Sequence, residues 1–127
     1  MKFAKYTFLV AGIYGLLVLV PHYFMEGIVS TEHPPAITHP EFFYGFIGIA
    51  SAFQIVFLII AKDPVKYRLM IIPSVLEKFT YGIAAVVLFS RGRLDGGFFY
   101  GALIDLVLGL LFIISWLKLS SSEKRSS

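Results

Sequence analysis

Residues 98–117 read FFYGALIDLVLGLLFIISWL, a run in which Asp105 is the one charged residue. A helix of about 20 apolar residues is long enough to cross the ~30 Å hydrocarbon core of a bilayer. Three more runs of this kind lie at residues 6–25, 42–61 and 69–89. Lipid cannot hydrogen-bond the backbone, and the runs lack the alternation of barrel strands, so each is predicted to be an α-helix. The sequence therefore predicts an all-α, polytopic membrane protein with the architecture of an up-down four-helix bundle.

The composition agrees with a membrane protein and excludes several kinds of chemistry. Hydrophobic residues make up 57% of the chain and charged residues 15%, which is too little polar surface for a soluble fold. The absence of cysteine excludes disulfides and thiolate-bound metals. The formal net charge is +3, but the basic residues lie at the ends of the hydrophobic runs. We interpret them as topology signals and contacts with lipid headgroups, and we expect no nucleic-acid partner.

The basic residues outside the runs favour one side of the membrane. Arg91 and Arg93 lie in the last connection, on one side. The other side carries Lys2, Lys5, Lys62, Lys66, Arg68, Lys118, Lys124 and Arg125. Because basic residues are enriched in cytoplasmic segments, both termini are predicted to be cytoplasmic. Residues 1–119 are predicted to form a single transmembrane domain, and the serine-rich residues 120–127 a flexible cytoplasmic tail.

Six polar side chains are predicted to lie near mid-membrane. Depth along each helix, at 1.5 Å per residue, places them within about two helical turns of one another. A charged group there is costly and calls for a physical reason. The six residues are Tyr14, Gln54, Glu77, Lys78, Tyr81 and Asp105.

Two interpretations of this set stay open. In the first, the six side chains form a pocket that binds a ligand headgroup or passes a proton. In the second they form an interhelical brace, in which Lys78 pairs with Asp105 while Gln54 and Tyr14 satisfy Glu77. A lysine can also extend from an exposed face toward the membrane surface, which would remove the pairing.

Prolines and glycines suggest the local shape of the helices. Pro73 frees a backbone carbonyl and is expected to kink the third run close to Glu77. Pro34, Pro35 and Pro40 favour an extended path for the first connection. Small residues are expected to allow close helix packing on three helices. They are Gly12 and Gly15 on the first, Gly45, Gly48 and Ala52 on the second, and Gly101 and Gly109 on the fourth.

No catalytic constellation or metal motif stands out. His22 with Glu26, and His39 with Glu41, have a spacing that a surface metal site would allow, but interfacial histidines and glutamates are mostly solvated. We therefore predict no metal site and assign no catalytic residue. The cofactor stays unknown, since His22 could still bind a haem or pigment near the outer face.

The segments HPEFFYGFIGIA, AKDPVKYRLMIIPSVLEKFTYG and GALIDLVLGLLF, within residues 39–119, resemble the small four-helix bacterial membrane proteins grouped loosely with DoxX-like proteins. The resemblance implies a four-helix bundle of the bacterial inner membrane and carries no established activity.

The sequence leaves three hypotheses for function. The first is a non-enzymatic membrane protein that binds an apolar molecule, such as a lipid or quinone, or serves as an accessory subunit of a larger membrane complex. A homo-oligomer is a further possible assembly. The second is an enzyme that uses Glu77 and Asp105 as acid and base on a lipid-like substrate. The third is a small proton-coupled carrier, which would require a wet route to Glu77.

Overall fold

The computed structural model describes residues 2–33 and 36–126, with side chains as far as residue 121. Within that part of the chain there are five α-helices and no β-strand. The helices are α1 (Lys2–Tyr23), α2 (Glu26–Glu32), α3 (Pro40–Lys62), α4 (Ile71–Ser90) and α5 (Gly96–Ser126). The long helices α1, α3, α4 and α5 are each apolar and long enough to cross a membrane. The predicted four-helix membrane fold is confirmed.

The helix ends lie within a few residues of the predicted spans, except at the C-terminus. There α5 continues to Ser126, past the predicted end of the span at residue 117. Helix α5 therefore extends into the segment, residues 120–127, that was predicted to be a flexible tail. Its flexibility and its cytoplasmic location stay predictions.

The connection between α1 and α3 is helical in its first part, whereas the sequence suggested an extended path. Residues Glu26–Glu32 form the short helix α2, with an acidic residue in its first turn, where the helix dipole favours negative charge. The Tyr44 hydroxyl on α3 donates a 3.0 Å hydrogen bond to the Glu26 carboxylate. This bond ties α2 to α3. Of the three prolines behind the prediction, Pro40 begins α3, and Pro34 and Pro35 lie outside the described residues.

The predicted kink at Pro73 is also corrected. A 3₁₀ turn, Arg68–Met70, leads directly into α4, which begins at Ile71. Pro73 therefore lies in the first turn of α4, where its missing N–H would have no intrahelical partner in any case. At this position the proline removes no hydrogen bond within α4, so the proposed cause of the kink is absent.

Two tight helix hairpins build the bundle, α1 with α3 and α4 with α5. Glycines allow the close approach within each. A methyl group on Gly12 would lie 2.9 Å from the backbone oxygen of Gln54, and one on Gly109 would lie 3.2 Å from Lys78 Cβ. By contrast, a methyl group on Gly45 or Gly48 would meet nothing within 4 Å. The small-residue face predicted on α3 therefore packs against none of the described residues.

The turn between α4 and α5 is set by one glycine with a positive φ. Gly92 has φ 70°, a conformation that side chains with a Cβ rarely adopt. The amide of Arg93 donates to the carbonyl of Leu88 at 2.8 Å, and that of Gly92 donates to Phe89 at 3.0 Å. These bonds end α4 in a Schellman motif and direct the chain back into α5.

The two hairpins share an aromatic core near one end of the bundle. This end, here called the terminal end, holds the start of α1, the end of α5 and the α3–α4 connection. The opposite end, called the α2 end, holds α2 and the α4–α5 turn. Phe8 and Phe112 stack with ring centroids 4.2 Å apart, and Phe57 meets Phe112 at 4.9 Å. All three are fully buried. The terminal half of the bundle is thus solidly packed.

Candidate functional site

A cavity of about 650 Å³ occupies the α2-end half of the bundle. All five helices and the α4–α5 turn contribute to its lining, which is mostly aliphatic and aromatic. Along α1 the lining runs from Tyr14 to His22, a depth of about 12 Å at 1.5 Å per residue. The exposed side chains of Phe46 and Tyr100 form part of it, so the cavity reaches the surface of the protein. Its volume lies within the range of about 300–1,000 Å³ that is common for small-molecule pockets.

An ionic cluster lies at the deep end of the cavity, next to the aromatic core. The Lys78 ammonium Nζ on α4 donates a 3.1 Å hydrogen bond to Asp105 Oδ1 on α5. Its distance to Glu77 Oε2 is 3.8 Å. Lys78 is only 3% exposed, and its Nζ lies 5.2 Å from the centroid of the Phe57 ring. The two carboxylates therefore share one buried cation.

Helix geometry explains why these groups meet. Asp105 and Gly109 are four residues apart and share one face of α5, which is turned toward α4. With no side chain on Gly109, the two helices approach closely enough for Lys78 to reach Asp105. Glu77 precedes Lys78 on α4 and also lines the cavity. The close packing of α4 on α5 thus fixes the ion pair.

Gln54 on α3 is the most deeply buried polar side chain of the site, at 1% exposure. Its Nε2 donates a 2.8 Å hydrogen bond to the Ala50 carbonyl one turn earlier on the same helix. Its Oε1 has no hydrogen-bond partner among the described residues. The side chain fits because Gly15 on α1 leaves the space, since a methyl group on Gly15 would overlap the Gln54 amide.

Two tyrosines complete the polar part of the lining. Tyr81 lies one turn after Glu77 on α4 and stacks on Phe46 of α3, with ring centroids 5.2 Å apart. Tyr14 lies on α1. Neither hydroxyl forms a hydrogen bond with another described residue. Both are available donors and acceptors.

The cavity brings together every residue of the predicted set. Tyr14, Gln54, Glu77, Lys78, Tyr81 and Asp105 all line it. The predicted Lys78–Asp105 pair is present. The hydrogen bonds that Gln54 and Tyr14 were expected to form with Glu77 are absent, because Glu77 Oε2 has no hydrogen-bond partner within the described part of the chain. The alternative prediction, in which Lys78 extends to the membrane surface, is wrong, since its side chain is buried. Ligand binding by the set stays a prediction.

The sequence did not reveal a second polar contact, at the α2 end. His33 Nδ1, just after α2, donates a 2.5 Å hydrogen bond to Asp95 Oδ2 in the α4–α5 turn. Asp95 also accepts hydrogen bonds from the amides of Gly97 at 3.3 Å and Phe98 at 3.4 Å, and so caps α5. An aspartate directly before a helix signals such a cap. Its pairing with His33 depends on where α2 lies, which no local pattern indicates.

The environment of Asp95 shifts its acidity. Burial by itself raises the pKa of the Asp95 carboxyl, yet the hydrogen bond from His33 and those from the two backbone amides outweigh this effect. The pKa of Asp95 therefore lies below its usual value of 3.8. Because the carboxylate is the form that accepts these bonds, Asp95 holds the α2 end together as an anion.

His22 and His39, whose spacing to glutamates would allow a surface metal site, are hydrogen-bonded within the protein instead. His22 Nδ1 donates to the Val18 carbonyl at 2.6 Å, and His39 contacts Glu41 at 3.0 Å at the exposed start of α3. Glu26 accepts its bond from Tyr44. Among the side chains that the structure describes, in residues 2–33 and 36–121, no group of three metal-binding side chains is found.

Comparison of the chain with models of protein families, with curated proteins and with solved structures gives no match. The resemblance to DoxX-like proteins therefore stays a prediction.

Proposed function

We propose that this multi-pass membrane protein binds an apolar small molecule, such as a lipid or quinone, in the cavity at the α2 end. One observation carries the proposal: a cavity of about 650 Å³ with apolar walls ends at a cluster of charged and hydrogen-bonding groups. Pockets for small molecules characteristically combine apolar walls with a few polar groups that fix orientation. The Lys78–Asp105 pair supports the packing of α4 on α5, so a brace and a binding site share the same residues.

The aromatic core supports a binding role over a carrier role. A proton-coupled carrier needs access to its ionisable groups from both sides of the membrane in turn. The cavity reaches Glu77 from the α2 end, while Phe8, Phe57 and Phe112 fill the bundle on the terminal side of Lys78. An enzyme acting through Glu77 and Asp105, and a role as an accessory subunit, remain predictions without a feature that favours them.

A pair of glycine substitutions tests the proposal. Gly101→Leu places a side chain at a position that lines the cavity, and Gly45→Leu places the same side chain on the exposed surface of α3. A methyl group at either position would meet nothing within 4 Å, so neither variant begins with a clash. The two variants differ in the space that they fill.

The measurement is the identity and amount of small molecules that remain with the purified protein after gentle extraction, read by mass spectrometry. We expect an apolar molecule in near-stoichiometric amount with the wild type and Gly45→Leu, and a several-fold loss with Gly101→Leu. Equal amounts in all three proteins, when the variants remain folded, would contradict binding in the cavity.

We further propose that the protein lies in a bacterial inner membrane with both termini in the cytoplasm. The excess of lysine and arginine on the side of the termini supports this orientation. Reporter fusions in a bacterial host test it: a C-terminal fusion should be active only with a reporter that folds in the cytoplasm. Activity of a periplasm-dependent reporter at that position would reverse the orientation.

A further inference from the structure

The deep end of the cavity has hydrogen-bonding capacity that the described residues do not use. An ammonium has three N–H donors, and among the described residues Asp105 alone accepts a hydrogen bond from Lys78 Nζ. The nearby Glu77 Oε2 is buried and accepts no hydrogen bond from the described residues. A buried donor or acceptor that loses water without gaining a partner is energetically costly, and more so when it is charged. The site therefore has an unused donor beside an unused acceptor.

The spacing of these two groups suits one further atom. Lys78 Nζ and Glu77 Oε2 are 3.8 Å apart, too far for a direct hydrogen bond. A hydroxyl oxygen close to both can accept from the ammonium and donate to the carboxylate. The terminal torsion of a glutamate is soft, so its carboxylate can turn toward the cavity that Glu77 lines. A hydroxyl satisfies both groups at once.

Other headgroups fit less well. An ether or ester oxygen accepts hydrogen bonds but cannot donate to Glu77. A carboxylate would be a third anion beside Glu77 and Asp105. An ammonium group can donate to Glu77, but it has no lone pair to accept the hydrogen bond that Lys78 can still donate, so that buried donor would stay unsatisfied.

We infer that the ligand is an apolar alcohol whose hydroxyl group lies between Lys78 and Glu77, with its hydrocarbon part extending toward the α2 end. This inference rests on the proposed function, because it names the headgroup of the molecule that the cavity binds. The apolar walls receive the hydrocarbon part, and the buried amide of Gln54 and the hydroxyl of Tyr81 line the same region.

A series of probes with one hydrocarbon chain and different headgroups tests the inference. Delipidated wild-type protein is titrated with tetradecanol, its methyl ether, tetradecanoic acid and tetradecylamine, and binding is read by native mass spectrometry. One charge-assisted hydrogen bond corresponds to about tenfold in affinity or more. We therefore expect the alcohol to bind at least about tenfold more tightly than each of the other three.

Two variants locate the recognition. Glu77→Gln brings its own amide donor, which can reverse the direction of the hydrogen bond, so the preference for alcohol over ether should fall severalfold. Glu32→Gln, at an exposed position on α2, should keep it. The comparison of probes on the wild type stands without either variant, so a folding defect in Glu77→Gln does not weaken the test.

The outcomes separate this inference from the proposed function. If the ether, acid or amine binds as tightly as the alcohol, the hydroxyl site is wrong while the apolar cavity stands; a bridging water alone would give that result for the ether. If no probe binds the wild type more tightly than it binds Gly101→Leu, the proposed cavity function fails as well.

Discussion

Replacing Lys78 by methionine removes the cation that two carboxylates share while keeping a side chain of similar length. In the wild-type protein its Nζ lies 3.1 Å from Asp105 and 3.8 Å from Glu77, and the residue is 3% exposed. Without the ammonium, two acidic groups face one another in a region that is largely shielded from water. The prediction is a clear loss of stability.

The size of the effect follows from which energy scale applies. Single hydrogen bonds within membrane proteins contribute about 0.6 kcal/mol on average, whereas removing one partner of a buried ion pair in a soluble protein costs about 3–5 kcal/mol. The second scale governs here, because Lys78→Met leaves charges without a counter-ion. The Asp105 and Glu77 side chains keep 20% and 16% exposure and can be hydrated or protonated, so we expect about 2–3 kcal/mol, below that range.

The measurement is reversible unfolding in mixed micelles, in which the free energy of unfolding is compared between variants. Lys62→Met is the control, because Lys62 is exposed at the end of α3 and should change stability by less than about 0.5 kcal/mol. Adding Asp105→Asn to Lys78→Met removes one of the two stranded carboxylates. The double variant should therefore recover at least about 1 kcal/mol relative to Lys78→Met alone.

A result within about 0.5 kcal/mol of wild type for Lys78→Met would refute the reasoning, since that is the range of ordinary surface substitutions. Additive effects of Lys78→Met and Asp105→Asn would refute the pairing itself, because residues in direct contact show a coupling energy.

Three further predictions concern the rest of the bundle. Gly12→Ala should lower stability by about 1–3 kcal/mol because the new methyl group meets the backbone of α3. The control Gly45→Ala, whose methyl group meets nothing within 4 Å, should be neutral or stabilise the protein by up to about 1 kcal/mol. If Gly45→Ala loses as much stability as Gly12→Ala in the same unfolding assay, the close packing at Gly12 is contradicted. Phe112→Ala should lower the free energy of unfolding by about 2 kcal/mol, less than the ~3–5 kcal/mol seen in soluble cores. In an apolar lipid environment the loss comes mainly from side-chain packing and little from the transfer of apolar surface to water. An unchanged midpoint of thermal unfolding would count against the aromatic core. The lowered pKa of Asp95 means that its stabilising contribution is present above about pH 4 and is lost as the pH falls through the folded-state pKa. Asp95→Asn should remove this acid-side loss from the stability profile, whereas Glu32→Gln should retain it, and identical profiles for both would reject the role of the contact.

The fold class could be read from the sequence because a bilayer imposes a simple requirement. Each span must be apolar over the thickness of the hydrocarbon core and must satisfy its own backbone, so four runs such as residues 98–117 determine four helices. The polar set could be identified for a related reason. Charged residues such as Glu77 and Asp105 inside these runs stand out because lipid makes them costly.

Tertiary packing decided how those residues are used. Helical spacing placed Asp105 and Gly109 on one face, but only the approach of α4 to α5 brought Lys78 to Asp105 and left Glu77 Oε2 without a donor among the described residues. The start of α4 likewise depended on the preceding 3₁₀ turn, which local rules for Pro73 do not specify. The contact of His33 with Asp95 joins residues far apart in the chain, and so does the cavity between the hairpins. Sequence periodicity encodes which side of a helix a residue occupies, whereas the distance between two helices is set by side chains on both.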